Sequence, residues 1–195
     1  MQTNGLCEQV IIAGFGGQGI ILVGKLLAQA AMKAGKEVTF MPSYGAEVRG
    51  GASNCMITIA DEPIPSPVVS KPRCVIAMSK AALNKFETSI EKGGLLIINT
   101  SQIDVQPKTD KSVEVVKIPI DEIAVGLGNP KVANMVALGA YLQKSGVFSP
   151  DVAADCLSDV LAERYHITIP LNKKALQQGA QFICDHCETA TRHGK

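Results

Sequence analysis

The chain has 195 residues, 46% of them hydrophobic and 19% charged, which at about 150 residues per domain is a single domain, numbered 1–195 throughout. Folding at this size hides about 70% of the unfolded surface, enough for one core without staples. Nineteen basic residues against 18 acidic leave +1, and five Phe, three Tyr and no Trp are few, so nucleic acid, anionic membranes and base stacking are excluded as main partners. No apolar run approaches the roughly 18 residues of a membrane span. The start, Met1-Gln2-Thr3-Asn4-Gly5-Leu6, lacks the basic region of a signal peptide. Six scattered cysteines (7, 55, 74, 156, 184 and 187) then read as reduced thiols of a cytoplasmic protein.

The elements alternate in the first half. Gln9–Ala13 is a short apolar run ending in glycines, as a buried strand would be. From Ile20 the apolar positions recur at spacings of three and four until Gly35, which predicts a helix with a glycine C-cap. Val38–Met41 is a second strand stopped by Pro42. Asn54–Ala60 and Arg73–Met78 follow as the third and fourth strands. Ala81–Glu91 reads as a helix closed by Gly93-Gly94, with Leu95–Asn99 and Val113–Ile118 as the last strands. Beyond Pro119 the pattern is helical, broken at Asn129-Pro130 and Gly146. Ser149-Pro150-Asp151 supplies an N-cap, a proline at N1 and a first-turn carboxylate for a helix to about Arg164. A final helix spans Asn172 to Cys187. Strand–helix alternation followed by helices predicts a three-layer α/β domain with a mostly parallel, Rossmann-like sheet and a helical C-terminal third.

Three stretches invite chemistry. Gly14-Phe15-Gly16-Gly17-Gln18-Gly19 fits G-x-G-x-x-G between a strand and a helix, where backbone N–H groups and the helix dipole favour an anion. A dinucleotide reading needs a ribose-binding carboxylate at the end of the second strand, but Glu37 sits at its start. Gly19–Leu26 has the glycine and lysine spacing of a P-loop; its four intervening residues are a helix face and Leu26 replaces the metal-binding hydroxyl, so the match is coincidental. Ser43–Asn54 is polar and glycine-rich. At the carboxyl end of the second strand it belongs beside the first glycine turn, with Arg49 suited to a carboxylate or phosphate and Glu47 to orienting it. An equally open reading pairs Glu47 with Arg49 or with a neighbouring chain. Cys184-Asp185-His186-Cys187, with His193 beyond, has a C-x-x-C spacing, but Leu176, Ala180, Ile183 and Cys187 form one apolar helix stripe, so a structural role is expected and no metal site.

Gly14–Gly19, the Ser43–Asn54 loop, Ile64-Pro65-Ser66-Pro67, Lys92–Asn99 and Gly128–Met135 occur in an order and spacing that together resemble the gamma subunit of the 2-oxoacid:ferredoxin oxidoreductases. The resemblance covers about Val10 to Tyr141, and Ser66–Val69 with Gly128–Met135 is most similar to the 2-oxoglutarate type. It implies an accessory subunit of a complex that oxidatively decarboxylates a 2-oxoacid with coenzyme A to acyl-CoA, carbon dioxide and reduced ferredoxin. Thiamine diphosphate, Mg2+ and iron–sulfur clusters would then sit mainly on alpha, beta and delta partner subunits, with ferredoxin reached through the complex. The isolated chain would be inactive and able to self-associate. No catalytic residue and no metal ligand is expected here. Subunit or coenzyme A contacts are expected at Gly16, Gly17, Gln18 and Gly19 in the turn, and at Tyr44, Glu47, Arg49, Gly50, Gly51 and Ser53 in the loop. The alternatives are a stand-alone NAD(P)-binding dehydrogenase domain and an anion- or acyl-CoA-binding adaptor.

Overall fold

The fold is described from a computed structural model, over residues 5–45 and 50–192, with side chains described through His186. Six strands form one sheet: β1 (Cys7–Phe15), β2 (Glu37–Tyr44), β3 (Ala52–Ala60), β4 (Cys74–Ala77), β5 (Leu95–Asn99) and β6 (Glu114–Ile118). Their spatial order is β2-β3-β1-β4-β5-β6. The strands β1, β4, β5 and β6 are parallel neighbours, whereas β3 runs antiparallel to both β1 and β2. Only β3 is therefore reversed, and β2 reaches the edge by a hairpin instead of a second crossover. That placement explains one departure from the sequence expectation. The second strand does not stop at Pro42 but runs through it, pairing Pro42 with Cys55, because an edge strand tolerates a residue without an N–H.

Strand parity divides the core. Val10 and Ile12 face helix α1 (Ile20–Lys33) and the C-terminal helices, while Ile11 and Ala13 face the shorter helix α2 (Lys80–Phe86). α1 lies close on β3 because of Gly24, where a Cβ would meet Cys55 Sγ and come within 2.9 Å of Phe40 Cε2. This packing role accounts for the glycine in the P-loop look-alike. Helix α1 ends one residue before the expected glycine cap: Ala34 is the C-cap, and Gly35 follows it at φ 75°. α2 is shorter than expected: the chain leaves the helix at Glu87, and Ser89 turns back onto the Phe86 carbonyl at 2.7 Å.

The remaining helices are α3 (Ile120–Gly126), α4 (Ala133–Ser145), α5 (Pro150–Asp155), α6 (Leu157–Val160) and α7 (Ile169–Arg192). The single helix expected from Ser149 to Arg164 is divided at Cys156, and Glu163–Thr168 forms a 3-10 turn. Ser149 does cap α5, its hydroxyl accepting from the Asp151 N–H at 3.2 Å. α7 begins three residues earlier than expected, with Pro170 in its first turn, where no N–H is needed.

Helix α4 is buried on every side from Asn134 to Leu142, the pattern of a central helix. It lies between the sheet and α7, and the two helices cross through paired glycines. A Cβ on Gly139 would strike the Leu176 carbonyl, and one on Gly179 the Val136 carbonyl. At the amino end of the sheet, the α4 residue Tyr141 is wholly buried and donates to Glu8 Oε1 at 3.2 Å, while Arg73 Nε lies 3.2 Å from Glu8 Oε2. Burial pushes the Glu8 carboxyl above its ordinary value, with Arg73 pulling the other way less strongly.

Candidate functional site

The carboxyl ends of β1 and β4 form the crevice where ligands of open α/β sheets bind. The glycine turn Gly14–Gly19 fills the mouth of this crevice, with Gly17 at φ 101° and Gly19 at φ 72°. Gln18 folds back over the turn. Its Oε1 accepts from the Phe15 N–H at 2.7 Å and its Nε2 donates to the Met78 carbonyl at 3.2 Å. A Cβ on Gly14 would collide with that same Oε1. Gln18 thus ties the end of β1 to the end of β4 and lies where a pyrophosphate would approach Gly14.

The described ends of the Ser43–Asn54 segment, residues 43–45 and 50–54, lie beside the turn, as its position in the sequence implied. It is the β2–β3 hairpin, and it grips the turn reciprocally: Gly16 N–H donates to the Gly51 carbonyl at 2.8 Å, and Gly50 N–H donates to the Gly16 carbonyl at 3.2 Å. Tyr44 stands 73% exposed at the hairpin's base, Gly50 is exposed, and Gly16, Gly19 and Gly51 are half-buried. Ser53 is 6% exposed and lies on the α1 side of β3, so it shapes the site from beneath. Glu47 and Arg49 lie outside the described residues. The proposed orientation of Arg49 by Glu47 therefore has no geometry here.

Helix α1 starts directly after the turn. Gly19 has no side-chain capping bond and the first turn of the helix carries no acidic residue, so the N–H groups and the positive dipole end remain available to an anion. Asn134 of α4 supports this start from behind, its Nδ2 donating to the Gly19 carbonyl at 3.2 Å.

Two clefts flank the turn and share Gly17. One, of about 390 Å³, is mainly apolar and lined by Phe15, Ile21, Leu22 and Tyr44. The other, of about 400 Å³, lies towards α3 and includes Met78, Asp121, Val125 and Lys131. In the second cleft the fully buried Asn99 donates to Asp121 Oδ1 at 2.8 Å and Gln102 donates to Oδ2 at 2.5 Å, which fixes the carboxylate. Sequence reasoning missed this second cleft. Asp121 stands 22 positions from Asn99, and no local spacing announces a pair made by the end of β5 and the first turn of α3.

Among the described residues, no nucleophile and base approach each other at the turn, and neither cleft holds two carboxylates. A ribose-binding acid is likewise missing where one would be required: β3 occupies the place beside β1, and the end of β2 carries Pro42, Ser43 and Tyr44. Among the described residues no group of three His, Cys, Asp or Glu side chains could hold a metal ion. At the C-terminal C-x-x-C, His186 lies against its own helix, with Nδ1 2.8 Å from the Phe182 carbonyl and its ring stacked on Phe182 at 3.9 Å. The Cys187 side chain and His193 lie outside the described residues. No helix among them is long and apolar enough to cross a membrane.

An open, mostly parallel sheet with a glycine turn bound to a neighbouring hairpin defines an α/β protein with a Rossmann-like crevice. The chain belongs to the pyruvate ferredoxin/flavodoxin oxidoreductase family, whose model matches residues 9–182. It is 36% identical over 154 residues to the 2-oxoglutarate synthase subunit KorC of Methanocaldococcus jannaschii, covering 78% of this chain and 82% of that one. It is 33% identical to the ketoisovalerate oxidoreductase subunit VorA of Methanothermobacter marburgensis, covering 92% of this chain but 37% of that longer protein. Among solved structures, the gamma subunit of a keto/oxoacid ferredoxin oxidoreductase from Geobacter sulfurreducens superposes with a TM-score of 0.77 at 29% identity, over 91% of this chain and 99% of that one.

Proposed function

We propose that the chain is the accessory gamma subunit of a complex that oxidatively decarboxylates a 2-oxoacid, 2-oxoglutarate foremost, with coenzyme A, yielding acyl-CoA, carbon dioxide and reduced ferredoxin. The alignment with KorC over about four-fifths of both chains carries this reading. The inventory of side chains agrees with an accessory role. The described thiols are dispersed, with Cys55, Cys74 and Cys156 buried apart from one another in the sheet and in the helical layer. They do not fit an iron–sulfur cluster, and among the described residues no group of three His, Cys, Asp or Glu side chains gathers at the crevice to hold Mg2+. Those groups belong on the alpha, beta and delta partners. Coenzyme A is different, because its phosphates fit the uncapped start of α1 beside Gly17 and Gly19.

The glycine turn and the hairpin, from Gly16 to Gly19 and from Tyr44 to Ser53, form the edge this subunit offers to its partners. Exposed Phe15, Tyr44 and Val125 extend that edge with apolar surface. Native co-purification followed by assay with pyruvate, 2-oxoglutarate and 2-oxoisovalerate tests the reading. Larger thiamine-binding partners and greatest ferredoxin reduction with 2-oxoglutarate are expected, and no activity from the chain alone. Recovery only as a free chain would overturn it. In the assembled enzyme, Arg49→Ala is expected to raise the KM for coenzyme A; an unchanged KM removes Arg49 from that contact.

A further inference from the structure

We infer that a groove at the amino end of β1, on the face of the sheet away from α1, receives an extended apolar segment of a partner subunit that carries a basic residue. The inference rests on the reading of this chain as one subunit of a larger complex. The groove is about 380 Å³ and lies at the opposite end of β1 from the glycine turn. Its floor is two cross-strand pairs, Cys7 with Ala60 and Gln9 with Thr58. Its wall is the proline-rich run from Pro63 to Val68, whose restricted backbone preforms the groove.

Three observations point to an occupant of this kind. First, Thr58 is 1% exposed and its hydroxyl has no hydrogen-bond partner among the described residues; neither has the hydroxyl of Thr39, its direct neighbour on β2. Native proteins rarely leave such groups unpaired. Turning χ1 of Thr58 exchanges its methyl and hydroxyl groups, which would let it meet a backbone amide laid along the floor beside Gln9. Second, the lining carries a single charge, Glu62, which makes no ion pair among the described residues. It sits on the rim, where it complements a cation. Third, Val68 is 57% exposed beside the floor, and α1 packs on β2 and β3 from the other face only. In the VorA relative the matching stretch is 37% of a longer chain, so further polypeptide is tethered to this same kind of domain.

The groove holds its own reporter, because Cys7 is exposed on the floor. The experiment follows maleimide labelling of Cys7 by peptide mass, in the isolated chain and in the native complex. Labelling is expected to be at least about ten-fold slower in the complex. Val68→Asp and Glu62→Lys alter exposed side chains, so both variants should keep the wild-type circular dichroism and unfolding midpoint. Each is expected to weaken retention of the chain in the complex about ten-fold, with the Glu62→Lys effect shrinking at high salt. Equal labelling of Cys7 in a complex that does assemble overturns the groove proposal and leaves the subunit reading intact. Failure of the wild-type chain to assemble overturns both. Protection of Cys7 in the freshly isolated chain that disappears after unfolding and refolding identifies a small molecule in the groove and refutes the segment.

Discussion

The crossing of α4 and α7 is the feature whose removal has the most calculable effect. Substituting Gly139 with Ala places a Cβ against the Leu176 carbonyl, 2.7 Å from its carbon and 2.9 Å from Leu176 Cα; at Gly179 the new Cβ meets the Val136 carbonyl and stands 3.0 Å from the Ala140 N. Each obstacle is helix backbone, which cannot rotate aside, so the helices must separate. Overpacking of a tight core costs about 1–3 kcal/mol, and a backbone obstacle belongs at the upper end. Against this, Gly→Ala inside a helix gains about 1 kcal/mol of propensity. The expected net loss is about 2 kcal/mol for either variant, or about 4–8 °C in Tm for a chain of this size. Thermal unfolding followed by circular dichroism measures it. Gly126→Ala is the control, because a Cβ there meets nothing within 4 Å, and it should leave Tm unchanged or slightly raised. The double variant Gly139→Ala/Gly179→Ala should cost less than the sum, since one separation relieves both collisions. A Tm at or above wild type for Gly139→Ala would refute the close crossing, because the propensity gain would then stand unopposed.

Three further outcomes are expected. Gln18→Ala strands the Phe15 N–H and loosens the end of β1 from β4, costing about 1–2 kcal/mol; hydrogen exchange should speed up at Phe15 and in the glycine turn while the β5 amides stay protected, and unchanged exchange at Phe15 would count against the Gln18 bridge. Glu8 has a raised folded-state value caused first by burial, so its stabilising contribution is complete below about pH 4.5 and is lost as pH rises through the folded value. Glu8→Gln should therefore gain on wild type between acid and neutral pH in denaturant titrations, and a difference that does not change with pH would show that burial does not dominate. Cys55 is pushed up to about 12 by burial, so native protein at pH 8 should alkylate at Cys7 and not at Cys55, with Cys55 reacting only on unfolding; rapid native labelling of Cys55 would contradict its place under α1.

Much of the fold was legible from local pattern. The apolar run before Gly14, the three-and-four spacing after Ile20 and the Ser149 cap are short-range signals, and each corresponds to an element in the structure. The departures arise where neighbours override such signals. Pro42 stays in a strand because β2 is an edge; the helix after Ser149 breaks at Cys156, whose packing in the helical layer outweighs continuity. The glycine turn and the hairpin were legible as polar, glycine-rich segments, and family membership agrees with their order along the chain. The inward fold of Gln18 was not legible, because its partner is the Met78 carbonyl, 60 residues away.

By itself, the sequence determined the class of this protein: a nearly neutral α/β fold whose motifs, taken in order, mark it as a member of an oxidoreductase family. Only the tertiary structure decided that β3 runs against its neighbours, that Gln18 bridges the ends of β1 and β4, that Asp121 and Asn99 meet, and that α4 and α7 touch through Gly139 and Gly179. The division has a physical cause. Periodicity and capping act over a few residues and leave their mark in the sequence. Strand direction, long-range hydrogen bonds and helix crossings depend on which distant surfaces meet when the core closes, and no local spacing encodes that choice.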